Sequence, residues 1–397
     1  MPFTLNPLRA RRADAVVDRW PGVVAAMAGI FAIVTSEILP IGLLLPIAAE
    51  FRLTAGVSGV MMTVPGLVAA VTAPLATAFT RSTDRRTMSL VWMGLLAASN
   101  LICALATDFW MILGARILVG IVIGGFWSIG PGLAGRLVQR SRVGRATSTI
   151  FLAVPLGSVL GVPLGTFIAD VAGWRAAFVG LTVVSLAVLV ALACTLPSLP
   201  AGGGTRLSAI AGSLRLRGIR TGLLVTFLVV MAHFATYTYV SAFLEGVTAL
   251  DLGAISAVLL AYGVAGLAGN LLAGATIERH LRATFAVAAA SIASGTLLLP
   301  VFGAHPAGAL ILLMLWGFGY GAVPVCSQTW LARASGGTGE VGSVLFTSSF
   351  QATISVGALV GGAVLDGAST VALMLIGGTV AVVAATLIVL SRTGARR

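Results

Sequence analysis

The sequence predicts an all-α integral membrane protein with twelve transmembrane helices arranged as two six-helix repeats. Three observations support this fold class. Of the 397 residues, 58% are apolar and 9% charged, with a mean hydropathy of +1.06, whereas soluble domains carry about a quarter charged residues. Charged or Gly/Pro-rich breaks divide the chain into runs of the roughly 20 apolar residues that a span needs. Similar residues also recur at a nearly constant spacing on the two sides of one long linker. A water-soluble enzyme is therefore excluded.

The individual spans follow from the positions of these breaks. The predicted helices cover approximately 22–48, 57–80, 87–107, 109–135, 146–170, 175–196, 221–244, 252–276, 283–303, 306–331, 342–366 and 369–391. The predicted domains are a tail over 1–21, a six-helix bundle over 22–196, a linker over 197–220, a second bundle over 221–391 and a tail over 392–397.

An internal repeat is indicated by matching residues on the two sides of the linker. Asp84 and Glu278 are 194 positions apart, Asp170 and Asp366 are 196 apart, and the third pair, at 161 and 361, consists of glycines 200 apart. Parallel repeats of this kind place a substrate site between the halves near the middle of the bilayer.

The net charge of +12 comes from arginine alone, because the chain has no lysine. With the N-terminus in the cytoplasm, the cytoplasmic loops and tails hold every arginine except Arg52, Arg116 and Arg175. This bias predicts that both termini are cytoplasmic, and it explains the basic composition without nucleic acid. The first apolar run is too long for a cleaved signal peptide.

Cofactor and metal chemistry is not indicated. The three cysteines lie in apolar runs without metal-ligand or disulfide spacing: Cys103, Cys194 and Cys326. The three histidines fall at different levels of the membrane: His233, His280 and His305. We therefore expect no cofactor, no metal and no enzymatic activity. We also expect a protein that acts as a monomer.

Two charged residues lie well inside predicted spans, Glu37 in the first helix and Arg116 in the fourth. Their depths from the outer membrane face are about 15 Å and about 12 Å, from the 1.5 Å rise per residue. Intramembrane charges usually face the bundle interior or a water-filled path. The pair is either a fixed structural ion pair or a proton site, in which Arg116 controls the ionisation of Glu37.

Uncharged polar and aromatic residues are predicted to line a substrate cavity. Trp127 shares one face of the fourth helix with Arg116 and Gly120. The other candidates are in the second half: His233, Tyr237, Asn270, Gln328 and Gln351. Contacts that only hold helices together are the alternative for each of them.

The fifth helix carries Gly157, Gly161 and Gly165 on one face and a helix-bending Pro163. The eleventh repeats the theme with glycines at 357, 361 and 362. Tight packing explains either helix alone, and the matched pair favours a seam between the two halves.

Several motifs resemble those of the major facilitator superfamily, in its twelve-helix drug:proton antiporter branch. The glycine-rich run of the fifth helix resembles the antiporter motif, and 113–120 around Arg116 resembles the motif whose arginine is implicated in proton coupling. Segment 81–86 and its second copy at 274–279 resemble the cytoplasmic gating motif, which implies gating residues Asp84, Arg85, Arg86, Glu278 and Arg279. Segments 35–46, 125–128 and 173–178 are similar to bacterial arabinose-efflux and purine-ribonucleoside-efflux permeases.

The resemblance and the two intramembrane charges together lead us to expect proton-coupled efflux of small organic molecules across a bacterial inner membrane by alternating access. The cargo is a sugar, a nucleoside or a drug. A facilitator or importer of the same fold, with a structural pair of Glu37 and Arg116, is the alternative. An intramembrane enzyme is disfavoured because no catalytic constellation has sensible spacing, and a receptor because no sizeable soluble domain is present.

Overall fold

The computed structural model describes residues 18–79, 83–200, 212–335 and 339–391. Every regular element in these ranges is a helix, and the membrane spans are numbered α1 to α12. The first half comprises α1 (Trp20–Phe51), α2 (Ala55–Ser58 and Val60–Phe79), α3 (Arg85–Ala104), α4 (Phe109–Leu137), α5 (Val143–Phe151 and Ala153–Ala172) and α6 (Trp174–Thr195). The second half comprises α7 (Arg217–Tyr237 and Val240–Gly246), α8 and α9 (the two arms of Leu252–Phe302), α10 (Pro306–Ala334), α11 (Gly339–Gly367) and α12 (Thr370–Leu390).

Parts of the sequence predictions fall outside the described residues. These parts are most of the N-terminal tail, the start of the first gating segment, the middle of the linker and the C-terminal tail, at 1–17, 80–82, 201–211 and 392–397.

The longest helix contains two spans. Leu252–Phe302 has 51 residues, which as one straight helix would be about 76 Å long, far more than the roughly 30 Å hydrocarbon core of a bilayer. His280 divides it, because its backbone is not helical (φ −130°, ψ 37°). The eleven long apolar helices of the described residues therefore supply twelve spans, and the predicted fold class is confirmed.

Helix starts are fixed by short polar side chains where the chain leaves the apolar layer. The side chains that accept backbone N–H groups of the following turn belong to Thr54, Asp84, Asp108, Asp251 and Ser369. Each cap binds an N–H group that has no partner within its own helix. Helix α7 starts at Arg217, inside the predicted linker over 197–220. A charged residue at its first position is compatible with a helix that extends beyond the membrane.

The ends of the helices form two opposite faces. We call the face with the α2–α3, α4–α5, α8–α9 and α10–α11 connections the arginine-rich face, and the other the arginine-poor face.

The two halves meet through α2 with α11 and α5 with α8. These contacts are equivalent in the repeat, since each joins the second helix of one half to the fifth of the other. A Cβ atom at Gly66 of α2 would overlap the Ser355 hydroxyl of α11, and one at Gly263 of α8 would lie 2.9 Å from Cα of Val159 on α5. Glycine is thus required at both repeat-related crossings, because any side chain would push the halves apart.

Hydrogen bonds extend this contact to the arginine-poor face. Asp366 at the end of α11 accepts bonds from the Thr54 hydroxyl (2.6 Å) and the Gly56 amide (3.0 Å) at the start of α2. The Ser256 hydroxyl of α8 donates to the Pro163 carbonyl of α5 (2.8 Å). We call this set of contacts between the halves the outer seam.

Candidate functional site

Glu37 lies at the membrane-centre end of the outer seam. Its side chain is buried in the middle of α1, and Oε1 accepts a 2.9 Å hydrogen bond from Nε2 of Gln351 on α11. The acidic residue of the first half is therefore bound to an amide of the second half. The other amide atom, Oε1 of Gln351, is buried without a hydrogen-bond partner.

Arg116 is fully buried on α4 and binds backbone rather than a carboxylate. Its guanidinium donates to the carbonyl oxygens of Ser36 (2.7 Å), Glu37 (2.9 Å) and Met61 (3.1 Å). Among the described residues, no salt bridge joins it to the Glu37 side chain. The two charges are neighbours at one level, as expected from their depths, but the direct ion pair considered from the sequence is absent.

Prolines explain why Arg116 binds carbonyl groups on two helices. In an α-helix the carbonyl of Ser36 would accept from the amide of residue 40, and that of Met61 from residue 65. Pro40 and Pro65 have no amide hydrogen and leave both carbonyls open. Arg116 supplies the missing donors. The sequence shows that Pro40 and Pro65 leave two carbonyl groups without an amide donor. It does not show that Arg116 supplies this donor.

An aromatic cluster in the second half surrounds His233. The ring of Tyr320 stacks on it at 3.5 Å between centroids, Tyr237 at 5.0 Å, and Tyr262 continues from Tyr237 at 4.6 Å. Trp316 stands edge-on to the stack and donates from Nε1 to Nδ1 of His233 (3.0 Å). Nδ1 thus carries no proton in this arrangement.

Three members of this cluster were missed from the sequence. Trp316 and Tyr320 are four residues apart on α10 and share a face, as His233 and Tyr237 do on α7. That spacing was an available signal for α10, whereas Tyr262 on α8 had none. Tyr320 is half-buried, and its ring also stands edge-on to Phe234 of α7 at 5.9 Å, so the cluster joins α7, α8 and α10 of the second half.

The remaining predicted cavity residues make other contacts. Trp127 is half-buried and packs against Phe151 of α5 at 5.9 Å. Asn270 donates from Nδ2 to the Gly321 carbonyl (3.1 Å), and Gln328 is exposed. The contacts of Trp127 and Asn270 hold helices together, which is the alternative that the sequence left open.

The glycine face of α5 does not form the seam between the halves. Cβ atoms at its three positions would meet side chains of α1 in the same half: Val34 for Gly157, Ile38 for Gly161 and Leu39 for Gly165. The expectation of an inter-half seam is therefore wrong for these glycines. On α11, residues at 357 and 361 likewise face α7, and only Gly362 faces the first half, at Gly56. The physical reason is that α1 crosses α5 closely, while Pro163 and Val159 turn towards α8.

The predicted gating residues lie at the arginine-rich face. Asp84 caps α3 by accepting from the amides of Arg86 (2.8 Å) and Thr87 (3.3 Å), and it accepts from the Ser198 hydroxyl (2.6 Å). The Ser198 bond, followed by the backbone bonds, holds the pKa of Asp84 below its usual range. Arg86 donates to the Ala193 carbonyl (2.7 Å).

The other three predicted gating residues have different surroundings. Nη1 of Arg85 lies 3.8 Å from the sulfur of Met88, and Glu278 and Arg279 are exposed at the end of α8. Through the bonds of Asp84 and Arg86, the first gating segment connects α3 to the end of α6 and to the residues that follow it.

Two six-helix repeats that enclose a polar centre between them define the class of multi-pass membrane transporters. The sequence model of the family described as Major Facilitator Superfamily matches residues 25–350. The chain belongs to the major facilitator superfamily. It is therefore a membrane transporter and not an enzyme.

The chain is similar to two curated relatives in sequence and to one solved structure in fold. The chain is 35% identical over 87% of its length to "Transcription regulatory protein OpdE" of Pseudomonas aeruginosa, of which it covers 87%. It is 30% identical over 89% of its length to "Purine ribonucleoside efflux pump NepI" of Salmonella paratyphi B, of which it covers 90%. A solved bacterial homologue of the human lysosomal transporter Spinster has the same fold, with a TM-score of 0.71 and 14% identity over 94% of this chain and 95% of that one.

Proposed function

We propose that this protein exports small organic molecules from the bacterial cytoplasm in exchange for protons, by alternating access. The observation that carries the proposal is the hydrogen bond between Glu37 and Gln351, which joins a titratable group of one half to the other half. The name of the Salmonella relative supports the efflux direction. In this proposal the arginine-rich face is cytoplasmic, and the membrane is the inner membrane.

The structure corresponds in this proposal to the inward-facing conformation. The described hydrogen bonds between the halves lie between the arginine-poor face and the level of Glu37. Closure on this side would leave the polar centre accessible from the cytoplasm, where cargo for export is bound.

Protonation of Glu37 would strengthen the link between the halves. A neutral carboxyl group can still accept from Nε2 of Gln351, and its O–H can also donate to Oε1 of the same amide, which is buried and has no partner. A proton that arrives from outside would therefore stabilise the outer seam. Its release to the cytoplasm would weaken the seam and allow the outward-facing form.

The aromatic cluster favours a neutral cargo that contains a ring. Tyr320 is at one end of the His233 stack, so a planar cargo on the other side of its ring would stack on it. A purine ribonucleoside satisfies this description, and sugars and phenicol-type drugs are the other candidates. A planar heterocycle is favoured because stacking needs a flat face.

The proposal is tested by proton movement in inverted membrane vesicles that contain the protein. Sugars, nucleosides and phenicol-type antibiotics are added one at a time to vesicles with an established pH gradient. We expect one class to collapse the gradient, with labelled cargo accumulating inside. Equilibration of labelled cargo without proton movement would contradict proton coupling.

A facilitator or importer of the same fold is the second candidate. Its support is that Arg116 donates to three backbone carbonyls, which is a structural role. In this case cargo flux would not depend on the pH gradient.

Asp366→Asn is expected to open the outer seam more often. The change removes the negative charge that strengthens the bonds from the Thr54 hydroxyl and the Gly56 amide. Labelling of a cysteine placed at buried Thr63 by an impermeant thiol reagent, in a chain without its natural cysteines, should become about fivefold faster, since charged hydrogen bonds contribute about 1.5–3 kcal/mol and partial exposure reduces this.

Asp170→Asn is the matched control for this prediction. Asp170 occupies the repeat-related position at the end of α5, is exposed, and has no hydrogen bond among the described residues. Equal labelling rates in the two variants would show that Asp366 does not hold the seam.

A further inference from the structure

A cavity lies at the arginine-rich face, away from the outer seam. Its volume is about 1230 Å³, and its described lining residues come from the linker end and the ends of α7, α8, α9, α10 and α12, all in the second half. It is thus separate from the polar centre, which both halves form.

The wall of this cavity is strongly basic. Arg217, Arg279, Arg282 and Arg333 line it together with His280, and none of the described lining residues is acidic. Four guanidinium groups around one cavity repel each other. An anion between them would remove this repulsion and bind several charged donors at once.

Two of these arginines are held in place by the ends of neighbouring helices. Nη2 of Arg333 donates to the carbonyl oxygens of Ile277 (3.2 Å) and Glu278 (3.1 Å) at the end of α8. Nη2 of Arg282 donates to the Val389 carbonyl of α12, and its Nε is buried with no partner. The cavity wall therefore contains two cations whose positions are fixed by backbone carbonyl groups.

Apolar side chains form the other part of the wall. Trp330 donates from Nε1 to the Gly218 carbonyl (3.2 Å), which fixes the start of α7 against α10. Leu216 and Leu390 also line the cavity and are 46% and 70% exposed. Exposed leucines at the end of membrane helices can contact the apolar chains of lipid, since burial of their surface away from water is favourable. The site thus fits a molecule with an anionic head and an apolar body.

We infer that this cavity binds the phosphate headgroup of an anionic phospholipid from the cytoplasmic leaflet. Arginine clusters bind phosphate by paired hydrogen bonds, and basic pockets between spans bind anionic headgroups. A phospholipid and a soluble phosphate would both bind through the phosphate group. The exposed leucines favour the phospholipid, because it also has an apolar body. Bound lipid would hold the ends of α7, α8, α10 and α12 together, and so stabilise the second half.

The test is a lipid titration of the purified full-length protein in nanodiscs. We expect phosphatidylglycerol, added to phosphatidylcholine, to raise the Tm in a saturable way. For Arg217→Gln the half-saturating fraction of phosphatidylglycerol should rise about fivefold, the effect expected for one arginine near an anionic headgroup. Arg217→Lys, which keeps the charge but cannot form paired hydrogen bonds, should restore part of the affinity.

Arg220→Gln is the matched control, because Arg220 is exposed three residues further along α7 and does not line the cavity. Its half-saturating fraction of phosphatidylglycerol should stay close to that of the natural protein. Equal weakening by both glutamine variants would indicate general surface attraction and overturn the site. An equal rise in Tm with inorganic phosphate in pure phosphatidylcholine would assign the cavity to a soluble phosphate and overturn the lipid. These readouts do not require transport, so they are independent of the proposed function.

Discussion

Replacement of Glu37 by glutamine is expected to abolish proton-coupled transport while the protein still folds. The amide side chain has the same size and retains an oxygen that can accept the hydrogen bond from Gln351, but it cannot bind and release a proton. Cargo-driven collapse of the pH gradient in inverted vesicles should be lost, because no other titratable group among the described residues would carry the proton across at this site. Exchange of labelled cargo without a gradient should continue.

Glu50→Gln provides the matched control for this experiment. Glu50 lies on the same helix, but it is exposed at the arginine-poor end and accepts hydrogen bonds from Trp174 (2.6 Å) and Arg175 (2.7 Å). It should retain gradient-driven transport. If Glu37→Gln transported cargo against a gradient at the natural rate, the proton site would be elsewhere and the facilitator would become the better description.

Arg116→Met is expected to cause the largest loss of stability. It leaves the carbonyl groups of Ser36 and Met61, which have no amide partner in their own helices, without a donor in a buried site, and it removes the bond from Arg116 to the Glu37 carbonyl. The loss of buried hydrogen bonds to a charged group suggests about 3 kcal/mol. The measurement is the Tm of the purified variant, together with transport, which should fall because α1, α2 and α4 are no longer joined at the level of Glu37.

A second substitution tests why Arg116 is needed. Pro40→Ala restores the amide that can bind the Ser36 carbonyl within α1, so in the Arg116→Met background it should recover about 1 kcal/mol. Pro46→Ala is the control, because the carbonyl that Pro46 leaves open, at Gly42, is near the Thr166 hydroxyl (3.5 Å) instead. Equal recovery from both alanine variants would mean that the bond to Ser36 is unimportant, and a double-mutant cycle measures the difference.

Local features of the sequence were sufficient for the fold class and for some of the site. The apolar runs gave twelve spans, since hydropathy reports directly whether a segment prefers lipid to water. The two spans within Leu252–Phe302 also agree with the hydropathy prediction. The non-helical backbone at His280 separates them, so that the chain can cross the bilayer twice. The common depth of Glu37 and Arg116 followed from the rise per residue alone.

Which groups bind each other depended on helix packing. The α5 glycines were assigned to the wrong partner, since a small-residue face predicts a close neighbour without saying which helix it is. Only two of the five members of the aromatic cluster were recognised, and Tyr262, on α8, meets Tyr237 only after α7 and α8 pack.

The sequence by itself thus determined that this protein is a twelve-helix transporter with two charges near the membrane centre. Only the tertiary structure decided that Arg116 binds carbonyls opened by Pro40 and Pro65 and that Glu37 binds Gln351 across the halves. The reason is physical: the preference for lipid is set by each segment alone, whereas a buried polar group must find its partner on another helix.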